Sequence, residues 1–196
     1  DRLREKGVIA VSETSGIVHP QDGSSGGTIV IRAHGVTPEV YEDIRSKNLD
    51  IADATCPYVR KIHNLVRDKY EQGNRIIIIG INGWCKGTAI IIDSIDEAGS
   101  LPESDDNACV FAQTTLSREK WETISNFLKK KFKNLSKFDT ICYATSSRQR
   151  EAAEIAQKVD VMIVIGGGNS SNTQKLYEIC LKHCPETYKV ETFSDL

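Results

Sequence analysis

Long hydrophobic runs, C-x-x-C pairs and an excess of charge of either sign are all missing from this sequence. The four isoleucines at 76–79, like the other apolar runs of this sequence, fall far short of the roughly 20 apolar residues that a membrane-spanning helix needs. With 25 basic and 27 acidic residues, the net charge of -2 excludes a general attraction to nucleic acid or anionic membranes. We therefore expect a soluble protein that binds neither nucleic acid nor a membrane.

The six cysteines are spread widely, and none of them forms a C-x-x-C pair of the kind that binds zinc or exchanges disulfides. Because no secretory signal is recognisable, we expect reduced thiols and a cytoplasmic location. Cys180 and Cys184 share one face of a helical pattern, where core packing is favoured over a metal site. The first residues resemble the end of a charged helix closed by Gly7, and no Met precedes them, which predicts a fragment truncated at its N-terminus.

Short apolar strands alternate with amphipathic helical stretches, which predicts an α/β protein with small, mainly parallel sheets. Thr37 and Ser117 are placed to cap helices, with Pro38 at the first position of one of them. The glycine-rich segment 21–27 is expected to be a loop. The predicted strands span residues 27–33, 51–54, 75–80, 88–92, 109–112, 139–142 and 161–165.

An internal repeat organises these elements. Cys56 and Cys142 each end a predicted strand and precede a helix, and each is followed 24 residues later by a glycine that ends the next strand. This spacing predicts copies of one α/β module about 86 residues apart. We expect three modules in a pseudo-threefold arrangement, spanning 1–56, 57–138 and 139–196, with the first and third incomplete.

Chemically useful side chains follow the predicted strands, at the edge where ligands of parallel α/β sheets gather. Paired strand-end cysteines suit an iron–sulfur cluster, although buried packing is the alternative for each of them. The loop 166–172 suits a phosphate group or is a plain glycine loop with a helix cap, and His34 suits a phosphate contact, proton transfer or a structural role.

Six motifs occur in one order along the chain. They are Ala-His-Gly-Val at 33–36, Asp-Ala-Thr-Cys-Pro at 53–57, Gln-Thr-Thr-Leu-Ser at 113–117, Asp-Thr-Ile-Cys-Tyr-Ala-Thr at 139–145, Arg-Gln at 148–149 and Asn-Ser-Ser-Asn at 169–172. Together they resemble the signature of the 4-hydroxy-3-methylbut-2-enyl diphosphate reductase family, oxidoreductases of non-mevalonate isoprenoid biosynthesis. The resemblance implies three α/β domains around a [4Fe-4S] cluster held by three cysteines.

The same resemblance assigns roles to individual residues. Cys56 and Cys142 would be two of the cluster ligands, with the third in a segment upstream of this chain. Thr114 would lie near the substrate hydroxyl as a catalytic residue. The substrate-binding set would comprise His34, Thr114, Ser170, Ser171 and Asn172. The implied reaction removes the allylic hydroxyl reductively, with ferredoxin or flavodoxin as electron donor, and yields isopentenyl and dimethylallyl diphosphates.

The sequence departs from that family pattern at one internal position. The family carries a His-Pro-Glu segment, with a diphosphate-binding histidine and a proton-donating glutamate, between the counterparts of Gly80 and Ile81, which are adjacent here. A later serine-bearing loop would fall beyond Leu196. We therefore expect the 196-residue chain alone to be inactive. The alternatives are a degenerate paralogue or fragment that keeps only the fold, and an iron–sulfur lyase resembling quinolinate synthase.

Overall fold

The computed structural model describes residues 3–11, 27–80, 87 and 89–195. By compactness the chain divides into two units, Asp1–Lys61 and Ile62–Leu196. The glycine-rich segment 21–26 and Cys85 lie outside the described residues. Within the part of the chain that is described, no helix is both long and apolar enough to cross a membrane.

In the described part of the first unit, a two-stranded parallel sheet packs with the helix between its strands. Its elements are β1 (Thr28–Ile31), α1 (Pro38–Ser46) and β2 (Asp50–Asp53), and β1 pairs with β2 in parallel. Ile31, Ile44 and Leu49 form its core. Near its start, a single 3-10 turn (Arg4–Lys6) is closed by Gly7 at φ +82°, as its glycine predicted. The helix α2 (Pro57–Glu71) begins in this unit and continues into the second.

The second unit contains two further parallel sheets. Its elements are β3 (Arg75–Ile79), β4 (Ala89–Ile92), α3 (Ile95–Ser100), β5 (Ser104–Ala112), α4 (Arg118–Lys131), β6 (Phe132–Phe138), α5 (Tyr143–Ala156), β7 (Met162–Ile165), α6 (Ser171–Leu181), β8 (Thr187–Val190) and a terminal 3-10 turn (Phe193–Asp195). One sheet has the strand order β4-β3-β5-β6, and the other pairs β7 with β8. All pairings are parallel, so the predicted α/β class with small parallel sheets is confirmed.

The central strand β3 explains why four isoleucines stand in a row. Ile77 and Ile79 face one core cluster, which also contains Trp121 and Leu128 of α4, whereas Ile76 and Ile78 face a second cluster with residues of α2. A parallel strand that is covered on both faces has no solvent side, and its sequence is therefore apolar without alternation. Each of the four side chains is at most 5% exposed.

One predicted strand is wrong. Residues 139–142 are a turn, and the strand before it is β6, which starts directly after α4. Phe138 stacks on Phe111 of the neighbouring strand, with ring centroids 4.8 Å apart, and this contact fixes where β6 ends. Asp139 instead closes the turn by accepting the Ile141 N–H, and the Thr140 hydroxyl ties the turn to Ala112 at the end of β5. The module boundaries at 56 and 138, and the pseudo-threefold arrangement, stay predictions.

Candidate functional site

Cys142 is fixed at a helix N-terminus by its own backbone. Its N–H donates to the Thr114 carbonyl, two residues past the end of β5, over 3.0 Å, and its carbonyl accepts the Ser146 N–H at 2.9 Å as the first bond of α5. Asp139 accepts the Ile141 N–H and pairs with Arg118. The backbone of Cys142 is therefore held on both sides, by the loop after β5 and by the first turn of α5.

Cys56 has the same setting in the first unit. Its N–H donates to the Ala33 carbonyl, two residues past the end of β1, over 3.0 Å, and its carbonyl accepts the Arg60 N–H at 3.0 Å. The nearby Thr55 hydroxyl and the hydrogen bond from the Thr55 N–H, with Tyr41 and Arg60 in support, hold the pKa of the Asp53 carboxyl below its usual value. Asp53 therefore stays ionised at neutral pH.

The two candidate ligands differ from the other described cysteines in exposure. Cys56 and Cys142 are half-buried and free, whereas Cys109, Cys180 and Cys184 are buried. Burial raises the pKa of Cys180, with a further contribution from Cys184, and burial also raises the pKa of Cys109. Cys180 and Cys184 share the core of the third sheet, so their predicted packing role is confirmed.

Two loops of the second unit are joined next to Cys142. The Thr115 hydroxyl lies 3.1 Å from the Ser171 hydroxyl, and the buried Gln149 amide donates to the Thr115 carbonyl at 3.1 Å. These contacts bring Thr114, Cys142 and the start of α6 to one edge of the unit. Sequence reasoning gave Gln149 and Thr115 no role, although a glutamine at a helix position that faces the core is a signal that could have found one of them.

The glycine loop before α6 presents fewer free donors than its sequence suggests. The Gly166 N–H donates to the Val190 carbonyl at 3.0 Å, the Gly168 N–H donates to the Glu191 carboxylate at 3.0 Å, and the Ser170 N–H donates to the Gly167 carbonyl at 2.9 Å. An anion at this loop would therefore depend on side chains and on the first turn of α6.

The first turn of α6 carries the polar groups that remain. The Ser170 oxygen accepts the Thr173 N–H at 3.2 Å as a helix cap, which leaves its O–H available as a donor. The buried Oδ1 of Asn172 has no hydrogen-bond partner among the described residues. Rotation of that amide exchanges its oxygen and nitrogen, which would place an N–H donor at the same point. Hydroxyl and amide donors at a helix N-terminus suit a phosphate group.

His34 lies in the first unit, exposed on the loop between β1 and α1. It follows a strand and precedes a helix, as Thr114 and Ser170 do in the second unit. Whether His34 and Cys56 approach the site residues of the second unit stays a prediction. No group of three metal-binding side chains occurs among the residues that the structure describes.

Two glycines end repeat-equivalent strands, and neither leaves room for a side chain. The Gly80 N–H donates to the last residue of β4 and the Gly166 N–H to the last residue of β8, at 2.9 and 3.0 Å. A Cβ on Gly80 would lie 2.5 Å from the Gln113 Cβ, and one on Gly166 would overlap the Thr173 side chain. The repeat is therefore visible in the contacts as well as in the spacing.

Replacing Gly166 by alanine should destabilise the second unit, because the added methyl group overlaps Thr173. Overpacking of this kind costs about 1–3 kcal/mol, and urea unfolding followed by circular dichroism measures the loss. Gly99→Ala in α3 is the matched control, since its Cβ meets nothing within 4 Å. The free energy of unfolding of Gly99→Ala should rise by about 0.5–1 kcal/mol, because alanine is a better helix former than glycine. If both variants changed the free energy of unfolding equally, the close contact between residue 166 and Thr173 would be contradicted.

The connection from β3 to β4 is short for the strand pairing that it serves. Only residues 80–88 join these two parallel strands, whereas the repeat-equivalent connection from β7 to β8 spans residues 166–186 and contains α6. Parallel neighbours normally need a dozen or more residues to cross over. The comparison favours the loss of a short block after Gly80.

Comparisons with known proteins agree along the whole chain. The family model described as LytB protein matches residues 1–196. A 4-hydroxy-3-methylbut-2-enyl diphosphate reductase of Caldanaerobacter subterraneus subsp. tengcongensis is 42% identical over 203 residues, covering 99% of this chain and 69% of that protein. A reductase of the same name from Thermoanaerobacter sp. is 44% identical and covers 88% of this chain and 63% of its own length. This chain thus spans about two thirds of these relatives.

A third relative reveals an internal difference in length. The Clostridioides difficile reductase of the same name is 39% identical over 205 positions, which cover 100% of this 196-residue chain and 71% of that protein. The relative therefore has at least nine residues without a counterpart here. The connection between β3 and β4, which has only nine residues, is where we expect these extra residues to belong.

Solved structures show the same fold. The structure of the E-1-hydroxy-2-methyl-but-2-enyl-4-diphosphate reductase from Plasmodium falciparum superposes with a TM-score of 0.87 at 28% identity, covering 100% of this chain and 63% of that one. A second solved (E)-4-hydroxy-3-methyl-but-2-enyl diphosphate reductase has a TM-score of 0.58 at 33% identity and covers 90% of this chain and 68% of its own. With a family match over all 196 residues and relatives about 40% identical, this chain belongs to the LytB protein family.

Proposed function

We propose that this chain provides part of the site for the reductive dehydroxylation of 4-hydroxy-3-methylbut-2-enyl diphosphate. The observation that carries the proposal is the meeting of Thr114, Cys142 and Ser171 at one edge of the second unit. The reaction breaks the allylic C–O bond, consumes two electrons and two protons, and releases water with isopentenyl or dimethylallyl diphosphate. Membership of the LytB family supports this substrate class.

Cys56 and Cys142 are the residues that would hold a [4Fe-4S] cluster. Both are free, half-buried and set at the N-terminus of a helix, which leaves their sulfur atoms partly accessible to a cluster. They fit two of the three thiolate positions implied by the resemblance. When bound, the cluster supplies the electrons that the reduction consumes.

The polar side chains of the second unit would bind and orient the substrate. The Ser170 and Ser171 hydroxyls and the Asn172 amide lie in the first turn of α6, where the helix dipole adds to their attraction for a diphosphate. Thr114 would place its hydroxyl beside the allylic oxygen and donate a hydrogen bond to it as that oxygen takes up a proton. His34, exposed after β1, would donate to the diphosphate from the first unit.

Electrons would arrive from a small carrier, ferredoxin or flavodoxin. Free thiols and an oxygen-sensitive cluster both suit a reducing compartment, so we place the protein in the cytoplasm.

Calorimetric titration of the chain with the allylic alcohol diphosphate tests the binding role of α6. Ser171→Ala and Asn172→Leu should each weaken binding by roughly 10-fold or more, because each removes a hydrogen bond to a charged group. Ser100→Ala is the control, since that hydroxyl donates only to the Glu97 carbonyl in α3. The same alcohol without its diphosphate should not bind. Equal affinity for both compounds would contradict the proposal.

A further inference from the structure

Asp53 closes the turn that carries Cys56. One carboxylate oxygen accepts the Thr55 N–H at 2.9 Å. The other accepts the Arg60 guanidinium at 3.0 Å and the Tyr41 hydroxyl at 3.1 Å. The carboxylate therefore joins the end of β2 to the backbone directly before the cysteine, and also to helices on either side of the turn.

Asp139 makes the equivalent contacts in the second unit. One carboxylate oxygen accepts the Ile141 N–H at 3.3 Å, and the other pairs with the Arg118 guanidinium at the start of α4. In both units the aspartate stands three residues before the cysteine and caps the backbone N–H of the residue directly before it. The two arginines stand at different places relative to the turns, so the carboxylate and the N–H that it accepts are what the two copies share.

The contribution of the two Asp–Arg ion pairs to folding stability does not explain why an aspartate occurs at this position in both units. The side chains of Asp53 and Arg60 are 30% and 53% exposed, and those of Asp139 and Arg118 are 44% and 51% exposed. Pairs exposed to this extent contribute little to folding. A carboxyl oxygen that accepts the N–H two residues on instead fixes the geometry of a tight turn.

We infer that Asp53 and Asp139 are positioning residues, which hold the turns so that Cys56 and Cys142 keep the orientation that cluster binding requires. The inference rests on the proposed function for its purpose, but its physical content concerns the turns alone. What matters is the acceptor oxygen. A neutral asparagine keeps that oxygen and should substitute for the aspartate, whereas alanine should not.

Amide hydrogen exchange of the chain, read residue by residue, tests this without a cluster. The informative proton is the Cys142 N–H, whose own acceptor, the Thr114 carbonyl, is untouched by any change at Asp139. In Asp139→Ala its exchange should quicken roughly five-fold, the loss expected for one hydrogen bond. In Asp139→Asn it should stay within about two-fold of the parent. Asp53→Ala and Asp53→Asn should act in the same way on the Cys56 N–H, whose acceptor is Ala33.

Two controls separate positioning from a general loss of stability. The β3 amides of Ile77 and Ile78 report global unfolding, and in the alanine variants their exchange should quicken by no more than the roughly five-fold that one lost hydrogen bond allows. Asp105→Ala removes an exposed aspartate that pairs with Lys133, and it should leave the Cys142 N–H unaffected. Asparagine variants that exchange as fast as alanine variants would overturn the inference, as would alanine variants that exchange like the parent.

Iron binding is measured separately, so the two proposals fail in different ways. With the third cysteine supplied by a grafted upstream segment, Asp139→Ala should lower iron retention after reconstitution, and Asp139→Asn should not. If the amides respond as expected and no form of the protein binds iron, the positioning role stands and the cluster proposal fails. If iron retention is unchanged in the alanine variant while the Cys142 amide exchanges faster, the functional purpose of the turn is overturned.

Discussion

The 196-residue chain, reconstituted with iron and sulfide and supplied with dithionite, should convert no measurable amount of the allylic alcohol diphosphate. In a chain extended beyond Leu196 with the corresponding segment of the Clostridioides difficile relative, grafting two further segments of that relative should restore turnover. One is the segment upstream of the counterpart of Asp1, and the other is the longer connection between β3 and β4. By the family resemblance, the first supplies the third cysteine ligand and the second supplies the proton donor.

Three proteins separate these two deficits. The parent chain should bind no iron, and the chain with the upstream graft should bind iron. Without the longer connection, that protein should still be slower than the doubly grafted protein by a factor of about 10² to 10⁴, which is the usual contribution of a proton donor. Iron content and product formation, measured on the same samples, distinguish binding from chemistry.

The physical case for the second graft comes from the repeat. Residues 80–88 have to return the chain from the end of β3 to the start of its parallel neighbour β4, whereas the matching connection between β7 and β8 has room for α6 and its polar first turn. Appreciable turnover by the parent chain would contradict this account. If that turnover were lost in Cys85→Ser, it would assign a ligand role to Cys85.

A strand could be predicted from the sequence where its residues are buried on both faces and form a continuous apolar run. The isoleucines of β3 are covered on both faces, and a continuous apolar run has few other uses in a soluble α/β protein. The helix α4 was predicted with its cap, and the Ser117 hydroxyl does accept the Lys120 N–H. In these elements the local pattern and the tertiary contacts agree.

The strand β6 could not be predicted in the same way. Its apolar residues Phe132, Leu135 and Phe138 are spaced by three, which resembles a continuation of α4. These residues form a strand because they pair with β5 and because Phe138 stacks on Phe111. Both contacts involve residues that are distant in the sequence. The local signal at 139–142 belonged to a turn.

The candidate site was predicted unevenly for a related reason. The position of Cys142 beside Thr114 follows from parallel strands ending at one edge, a rule that the sequence pattern can carry. The number of free N–H donors in the glycine loop cannot be predicted from the loop's own residues. The Gly168 N–H, for example, donates to the carboxylate of Glu191, which follows β8. The partner of Gln149 is equally remote, because its amide donates to the carbonyl of Thr115, 34 residues earlier in the chain.

Cys142→Ser, made in the doubly grafted protein, should abolish iron retention and with it turnover. Serine keeps the size and the helix N-terminal position, but its oxygen is a poor replacement for the soft thiolate that iron–sulfur clusters require. Changes in residues that merely support a metal ligand cost 10–100-fold in affinity, so loss of a ligand should exceed about 100-fold. Iron and sulfide analysis after gel filtration measures this directly.

Cys180→Ala provides the matched control, because it removes a thiol that contributes to stability and not to iron binding. Cys180 is fully buried in the core beside Cys184. Its loss leaves a small cavity and should reduce the free energy of unfolding by about 1 kcal/mol, while iron retention stays at the level of the doubly grafted protein. Cys142→Ser should show the reverse, with unfolding of the metal-free protein nearly unchanged, because its half-buried side chain is replaced by one of similar shape. Iron retained in Cys142→Ser, or lost in Cys180→Ala, would contradict the assignment of Cys142 as a cluster ligand.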